Sequence, residues 1–79
     1  ASKPALTLES VVTDHATAVT AFDRDGRGLV AVELDGQVVQ LLGTLQSADQ
    51  KAGIRIRAGD RVRIDEVDAA RNRCFVSIP

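Results

Sequence analysis

Residues 28–46 read GLVAVELDGQVVQLLGTLQ, and this stretch indicates the fold. Before the turn, Val30, Val32 and Leu34 share one face of an alternating pattern and Glu33 lies on the other. An Asp-Gly pair at residues 35–36 then separates two apolar runs, which is a strong signal for a two-residue hairpin turn. The pattern predicts a β-hairpin of residues 28–34 and 37–46, with Gly43 at a bulge or bend.

Three further segments carry strand patterns. They are HATAVTAF at residues 15–22, RVRIDEVD at residues 61–68 and CFVSIP at residues 74–79. Turn residues separate them, and residues 47–53 are predicted to form a loop or one helical turn. In the fourth strand, Val62 and Ile64 share a parity that Val67 lacks. Since side chains alternate strictly, either a bulge lies near Asp65-Glu66 or Val67 covers the opposite face, and we favour the bulge, which bends a strand as a small barrel requires.

Five short strands with little helix predict an all-β fold. In a chain of 79 residues, that number favours a small five-stranded barrel, closed or partly open, over a sandwich of seven strands. We expect one domain, with residues 15–79 forming the barrel and residues 1–14 forming a linker that pairs as a strand near its end. The chain begins with Ala1-Ser2-Lys3-Pro4 and lacks an initiator methionine. This start predicts a boundary inside a longer protein.

Composition excludes several classes of protein. The net charge of −1 provides no strong field toward DNA, RNA or an anionic membrane. One cysteine cannot form the disulfide framework of a small secreted domain. No run approaches the roughly 20 apolar residues of a membrane helix, and no signal peptide is evident.

Reactive side chains are few. His15, the only histidine, is predicted to lie at the edge of the first strand, and no fixed spacing ties it to Ser10 or Asp14 as a catalytic set. Cys74 lies within the last strand and is predicted to be a packed apolar residue. If Cys74, Val76 and Ile78 face inward, Phe75 and Ser77 face outward, and Phe75 is then an exposed aromatic residue that could serve as an interface contact. We therefore assign no catalytic residue and expect no enzyme activity.

Ligand-binding motifs are equally weak. Asp23, Asp25 and Gly26 resemble the start of a calcium loop, but the twelfth position is Leu34 where a glutamate is required. Gly26 and Gly28 are interpreted as turn residues, because no G-K-[ST] follows. We expect no metal, no cofactor and no small-molecule substrate.

The basic residues permit an alternative function. Arg55 with Arg57, and Arg61 with Arg63, are spaced two apart, so each pair lines one face of a strand in a stripe that could follow phosphates. Acidic residues interleave with them, and the chain has no tyrosine or tryptophan on which bases stack. Binding of single-stranded nucleic acid is therefore the less favoured reading.

The second half of the chain resembles the C-terminal domain of NfeD-like membrane proteins. The first block of that resemblance is Gly28, Val30, Val32 and Asp35-Gly36 in GRGLVAVELDGQVVQLL. The second block lies in IRAGDRVRIDEVDAARNRCFVSIP and comprises Ile56, Gly59, Val62, Ile64, Val67 and Val76. The resemblance covers residues 16–79, and its motifs are structural.

The resemblance implies a soluble OB-fold-like barrel, attached through a missing N-terminal region to the membrane and lying on its cytoplasmic side. It also implies a non-enzymatic protein-interaction module. The implied partner is a stomatin-like membrane scaffold protein, and the implied role is regulation of membrane protease activity. The sequence assigns no binding residues, and both Phe75 and the hairpin edges are candidates for the contact.

Overall fold

The computed structural model describes residues 7–79 and contains five strands within them. They are β1 (His15–Ala18), β2 (Arg27–Leu34), β3 (Gln37–Leu45), β4 (Arg61–Asp68) and β5 (Arg73–Ser77). One short helix, α1 (Ser47–Lys51), follows β3, and 3-10 turns occupy Leu8–Val11 and Ala69–Arg71. The predicted all-β fold with little helix is confirmed.

The strands close into a barrel in the order β1-β2-β3-β5-β4. Only β3 and β5 are parallel; the other four pairings are antiparallel. This confirms the predicted OB-fold-like barrel and shows it closed. Closure pairs most of the backbone groups that an open sheet would leave at its edges.

The β2–β3 hairpin forms as predicted. Asp35 and Gly36 have φ values of 53° and 77°, so both central residues adopt the left-handed conformation of a type I′ turn. Leu34 pairs with Gln37 across the turn, and the register continues without a shift to Arg27 and Thr44.

The prediction of a bulge at Gly43 was wrong, and Gly28 lies in β2 rather than in a turn. The two glycines face each other across the hairpin, with the ring of Phe22 against them. A Cβ atom at position 28 would lie 2.4 Å from Cδ1 of Phe22, and one at position 43 would lie 3.2 Å from its Cζ. The glycines therefore allow close approach of an aromatic ring.

The predicted bulge in β4 is confirmed. The register with β5 shifts between Ile64 and Glu66, and Val67 then pairs with Cys74. The extra residue lets Val67 pack against the core in spite of its parity.

Both terminal strands are shorter than predicted. β1 ends at Ala18: the N–H of Val19 still donates to Leu29 O of β2, but the chain then leaves the sheet and the N–H of Phe22 donates to Ile56 O. β5 ends at Ser77, and Ile78 is 44% exposed rather than inward-facing. Its N–H donates to Asp49 Oδ2 of α1 at 3.2 Å, which draws the chain off the sheet.

The N-terminal segment contributes to the barrel from Leu8 onward, although residues 1–6 of the predicted linker lie outside the described residues. Val11 is 1% exposed and belongs to the core. Close to β1, the N–H of Thr13 donates to Ile64 O at 2.7 Å, and the N–H of Ile64 donates to Asp14 O at 2.9 Å. These bonds and the burial of Val11 join residues 8–14 to the barrel, and no separate strand forms there.

The barrel interior is apolar. Twelve buried side chains form one cluster, and none of the buried residues in the range 7–79 is polar or charged. The cluster comprises Val11, Ala16, Ala18, Val30, Val32, Leu41, Leu45, Ile56, Val62, Ile64, Cys74 and Val76. Any binding by this domain must therefore use its outer surface.

Candidate functional site

His15 and Cys74 lie on opposite sides of the barrel wall. His15 is exposed on β1 and pairs in register with Arg63. Cys74 is buried inside the barrel, where β5 places it opposite Gly43 and Val67. Burial raises the pKa of the Cys74 thiol from 9.0 to about 11, so this thiol has little of the thiolate character that a nucleophile requires.

We expect the Cys74 thiol to be protected from an aromatic disulfide reagent at pH 8 until the protein unfolds. Its labelling rate should rise sharply across the urea transition, because only the unfolded chain exposes a thiol that ionises readily. Rapid labelling of the folded protein, before any change in circular dichroism, would contradict the burial.

The same pKa shift predicts a dependence of stability on alkaline pH. The folded pKa is raised, so the contribution of Cys74 to stability is complete below pH 9.0 and is lost as the pH rises through about 11. Cys74→Val, which has no ionisable thiol, should lose less stability than the wild type over that interval in urea titrations. Identical pH profiles for the two proteins would be the contrary result.

The FDRDG loop is a turn stabilised by the Asp23 side chain. The N–H groups of Asp25 and Arg27 donate to Asp23 Oδ1 at 2.9 and 3.1 Å, and Gly26 has a φ of 75°. The carboxylate that would begin a calcium loop is thus used by the backbone. Within residues 7–79, no group of three or more potential ligands is arranged to hold a metal ion.

The four arginines of the predicted phosphate stripe do not form one surface. Arg61 and Arg63 are exposed on β4, but Arg55 and Arg57 lie in the irregular segment before it, so the prediction that both pairs line strands was wrong. The N–H of Arg57 donates to Asp60 Oδ2 at 2.9 Å, which holds this segment in a turn.

Arg63 is engaged by Asp65. Its Nε donates to Asp65 Oδ1 at 3.1 Å, and Gln46 Nε2 donates to Oδ2 at 3.2 Å. Burial alone would raise the pKa of the Asp65 carboxyl, but Ser77, Gln46 and Arg63 together hold that pKa below 3.8. The Ser77 hydroxyl is buried and helps to lower the pKa of Asp65, although it forms no hydrogen bond of good geometry among the described residues.

The outer surface of β3 and β5 carries a different basic site, which we call the arginine groove. It has a volume of about 280 Å³. Three arginines line it: Arg27 at the start of β2, Arg71 in the turn after β4, and Arg73 at the start of β5. The apolar part of its lining includes Leu42 and Phe75.

Strand pairing explains how the arginine groove is assembled. Thr44 of β3 has Arg27 on one side and Phe75 on the other, and Leu42 lies opposite Arg73. These residues share the outward parity, while Gly43 and Cys74 face the core. Phe75 is 44% exposed, which confirms the prediction that it faces outward.

The electrostatic balance of the arginine groove is positive. Asp68 is the one acidic residue of its lining, and it is paired with Arg71 at 3.1 Å. Arg27 and Arg73 form no salt bridge to any carboxylate among residues 7–79. Three arginines and one aspartate give the groove a formal charge of +2, so the rest of a chain whose net charge is −1 carries −3.

Sequence reasoning found only Phe75 of this site. Arg73 lies two residues from Phe75 and shares its parity, so a local signal existed. Arg27 and Leu42 could not be assigned to the surface that holds Phe75, because the parallel pairing of β3 with β5 joins segments that are distant in sequence.

The tip of the β2–β3 hairpin is a second exposed apolar position. Val38 is 71% exposed, and β3 pairs with β5 only along Leu42–Leu45. Residues 37–41 therefore have no strand partner on the β5 side within the described part of the chain. The hairpin edge remains the alternative contact that the sequence suggested.

A smaller cleft of about 150 Å³ lies between the β1–β2 loop and α1, with Phe22, Gln50 and Ile54 in its lining. Both clefts are below the roughly 300–1,000 Å³ of typical small-molecule pockets. Of the helices between residues 7 and 79, none has the length and apolar character needed to cross a membrane.

Comparisons with known proteins return one solved structure. The chain is similar to the C-terminal domain of stomatin operon partner protein 1510-C from Pyrococcus horikoshii, with a TM-score of 0.57, 15% sequence identity and coverage of 86% of each chain. No protein-family model and no curated protein sequence matches it. The likeness confirms, at the level of the fold, the resemblance to the NfeD-like C-terminal domain.

Proposed function

We propose that this domain is a non-enzymatic protein-interaction module of a membrane-attached NfeD-like protein. In this proposal the domain lies on the cytoplasmic side of the membrane and is joined to a membrane-spanning region through the chain on the N-terminal side of Leu8. Its partner is a stomatin-like membrane scaffold protein, and the interaction regulates membrane protease activity. The fold shared with a domain of a stomatin operon partner protein supports the choice of partner class.

The observation that carries the proposal is the exposed Phe75 between unpaired arginines on the outside of a closed barrel. Aromatic and arginine side chains are enriched at the centres of protein interfaces. The chain has only two phenylalanines and no tyrosine or tryptophan, and the ring of Phe22 packs against Gly28 and Gly43 of the barrel wall. Leu29, another exposed apolar residue, pairs with Leu42 and extends the same outer face.

Co-purification tests the proposal. We expect the full-length protein, crosslinked in its native membrane and then isolated, to bring down a stomatin-like protein identified by mass spectrometry. A Phe75→Glu variant should recover much less of it, because a charge would replace the apolar contact. A matched Glu33→Gln variant, exposed on β2, should recover as much as the wild type. Recovery of ribosomes or nucleic acid alone would contradict the proposal.

The second candidate is a module that binds single-stranded nucleic acid. The observation in its favour is the arginine groove itself, where an exposed aromatic ring lies beside three guanidinium groups. Fluorescence titration with single-stranded DNA and RNA at low salt tests it. An absence of binding at tens of micromolar protein would remove this candidate.

A further inference from the structure

Recognition in the arginine groove must use side chains. The backbone of β3 along Leu42–Leu45 is already paired with Arg73–Val76 of β5, so a partner cannot add a strand there. What remains available is the outward row of side chains on these two strands. Affinity must therefore come from apolar packing and from contacts with charged groups.

The apolar part of the groove fits a single side chain. Phe75 and Leu42 offer an aromatic ring and an aliphatic chain, and the whole groove holds about 280 Å³. That volume suits one or two side chains of an extended segment rather than an element of folded structure. A partner with one well-placed apolar residue would cover the exposed part of the Phe75 ring.

The charged residues of the groove indicate which groups of the partner should flank that apolar side chain. Arg27 is the register partner of Thr44, and Arg73 is the register partner of Leu42. Neither arginine forms a salt bridge with a described carboxylate, although Asp68 is the cross-strand neighbour of Arg73 on β4. Guanidinium groups bind carboxylates through paired hydrogen bonds. Glu66, the register partner of Phe75 on β4, adds a negative charge beside the groove without being part of its lining.

We infer that the arginine groove binds a short acidic segment of a partner protein, with an apolar side chain of that segment packed on Phe75 and Leu42 and its carboxylates held by Arg27 and Arg73. This inference rests on the proposed function and gives the chemistry of the partner. A long polyanion is disfavoured, because the rest of the chain outside the groove carries a formal net charge of −3 and offers a nucleic acid no net attraction.

The test uses fluorescence anisotropy with the 79-residue chain and defined probes. The first probe is a fluorescein-labelled peptide alternating glutamate or aspartate with leucine; the second replaces each carboxylate by its amide; the third is a labelled oligothymidylate. We expect the acidic peptide to bind more tightly than the other two. Its affinity should fall as salt rises above 0.1 M, where screening acts over about 10 Å.

Two charge-reversal variants locate the site. Arg73→Glu should weaken acidic-peptide binding about tenfold or more, because it replaces an attraction in the groove by a repulsion. Arg61→Glu changes the net charge equally, but Arg61 lies on β4 opposite Thr17, so it should weaken binding by about threefold or less. Glu66→Gln should tighten binding, since it removes a negative charge beside Phe75. Circular dichroism and urea unfolding confirm that each variant is folded.

Several outcomes would overturn the inference. Equal losses in Arg73→Glu and Arg61→Glu would show non-specific attraction, and tighter binding of oligothymidylate would assign the groove to nucleic acid. If the peptide fails to bind while the full-length protein still captures a stomatin-like partner, the groove assignment fails and the proposed function stands. If no such partner is captured although the peptide binds, the proposed function fails and the groove remains a site for acidic peptides.

Discussion

Replacing Ile64 with alanine is expected to lower the free energy of unfolding by about 2–5 kcal/mol. Ile64 is 0% exposed and lies on β4 immediately before the bulge. Alanine would leave a cavity in a barrel whose interior is a single apolar cluster. The measurement is urea unfolding followed by far-ultraviolet circular dichroism. A loss of this size is a large part of the roughly 5–15 kcal/mol typical of a folded domain.

Ile78→Ala is the matched control, because the same side chain is removed from an exposed position. Ile78 is 44% exposed beyond the end of β5, and its substitution should change the free energy of unfolding by about 0.5 kcal/mol. The pair also tests where β5 ends. If Ile78→Ala were as destabilising as Ile64→Ala, the final strand would continue inward as its alternation suggested.

Replacing Gly28 with alanine is expected to destabilise the barrel by about 1–3 kcal/mol, although alanine normally suits a strand better than glycine. The added Cβ would lie 2.4 Å from Cδ1 and 2.8 Å from Cε1 of Phe22. The ring must move, and it packs against the core together with Gly43 on the opposite strand. Urea unfolding again provides the measurement.

A double-mutant cycle separates this steric cause from others. In a Phe22→Ala background the obstructing ring is absent, so Gly28→Ala should become neutral or stabilising by up to about 1 kcal/mol. The interaction energy of the cycle is then the cost of the clash. An unchanged cost of Gly28→Ala in both backgrounds would mean that the Phe22 ring does not lie against position 28.

The predictions from sequence held where the signal was local. Asp35-Gly36 predicted the hairpin because few residues adopt two successive left-handed conformations, and both have positive φ. The parity conflict between Ile64 and Val67 predicted the bulge because side chains alternate faces without exception in a regular strand.

The predictions were wrong where tertiary contacts decide. Alternation continues through Ile78, but a hydrogen bond to Asp49 on another element ends the strand. Gly43 suggested a bulge, whereas its role is to admit Phe22 from a loop distant in sequence. The arginine groove was missed for the same reason, since Arg73 and Phe75 meet the β2–β3 hairpin only through the parallel pairing of β3 and β5.

We propose that this domain binds a partner, and the placement of its reactive and exposed groups supports that proposal. The thiol is buried with a raised pKa, the imidazole lies on the opposite side of the barrel wall, and the loop carboxylate of Asp23 holds a turn. The exposed features are an aromatic ring, aliphatic neighbours and unpaired guanidinium groups. Aromatic and arginine side chains of this kind are enriched among the residues that contribute most to protein–protein binding.

Site-specific photocrosslinking in the full-length protein, within its native membrane, tests the proposed contact most directly. A photoreactive phenylalanine analogue is placed at Phe75, at Val38 on the hairpin tip, or at the exposed Glu33 on β2. We predict a crosslink to a stomatin-like protein from position 75 and none from positions 38 or 33. A crosslink to that protein from position 38 but none from position 75 would contradict this account and place the contact at the hairpin edge.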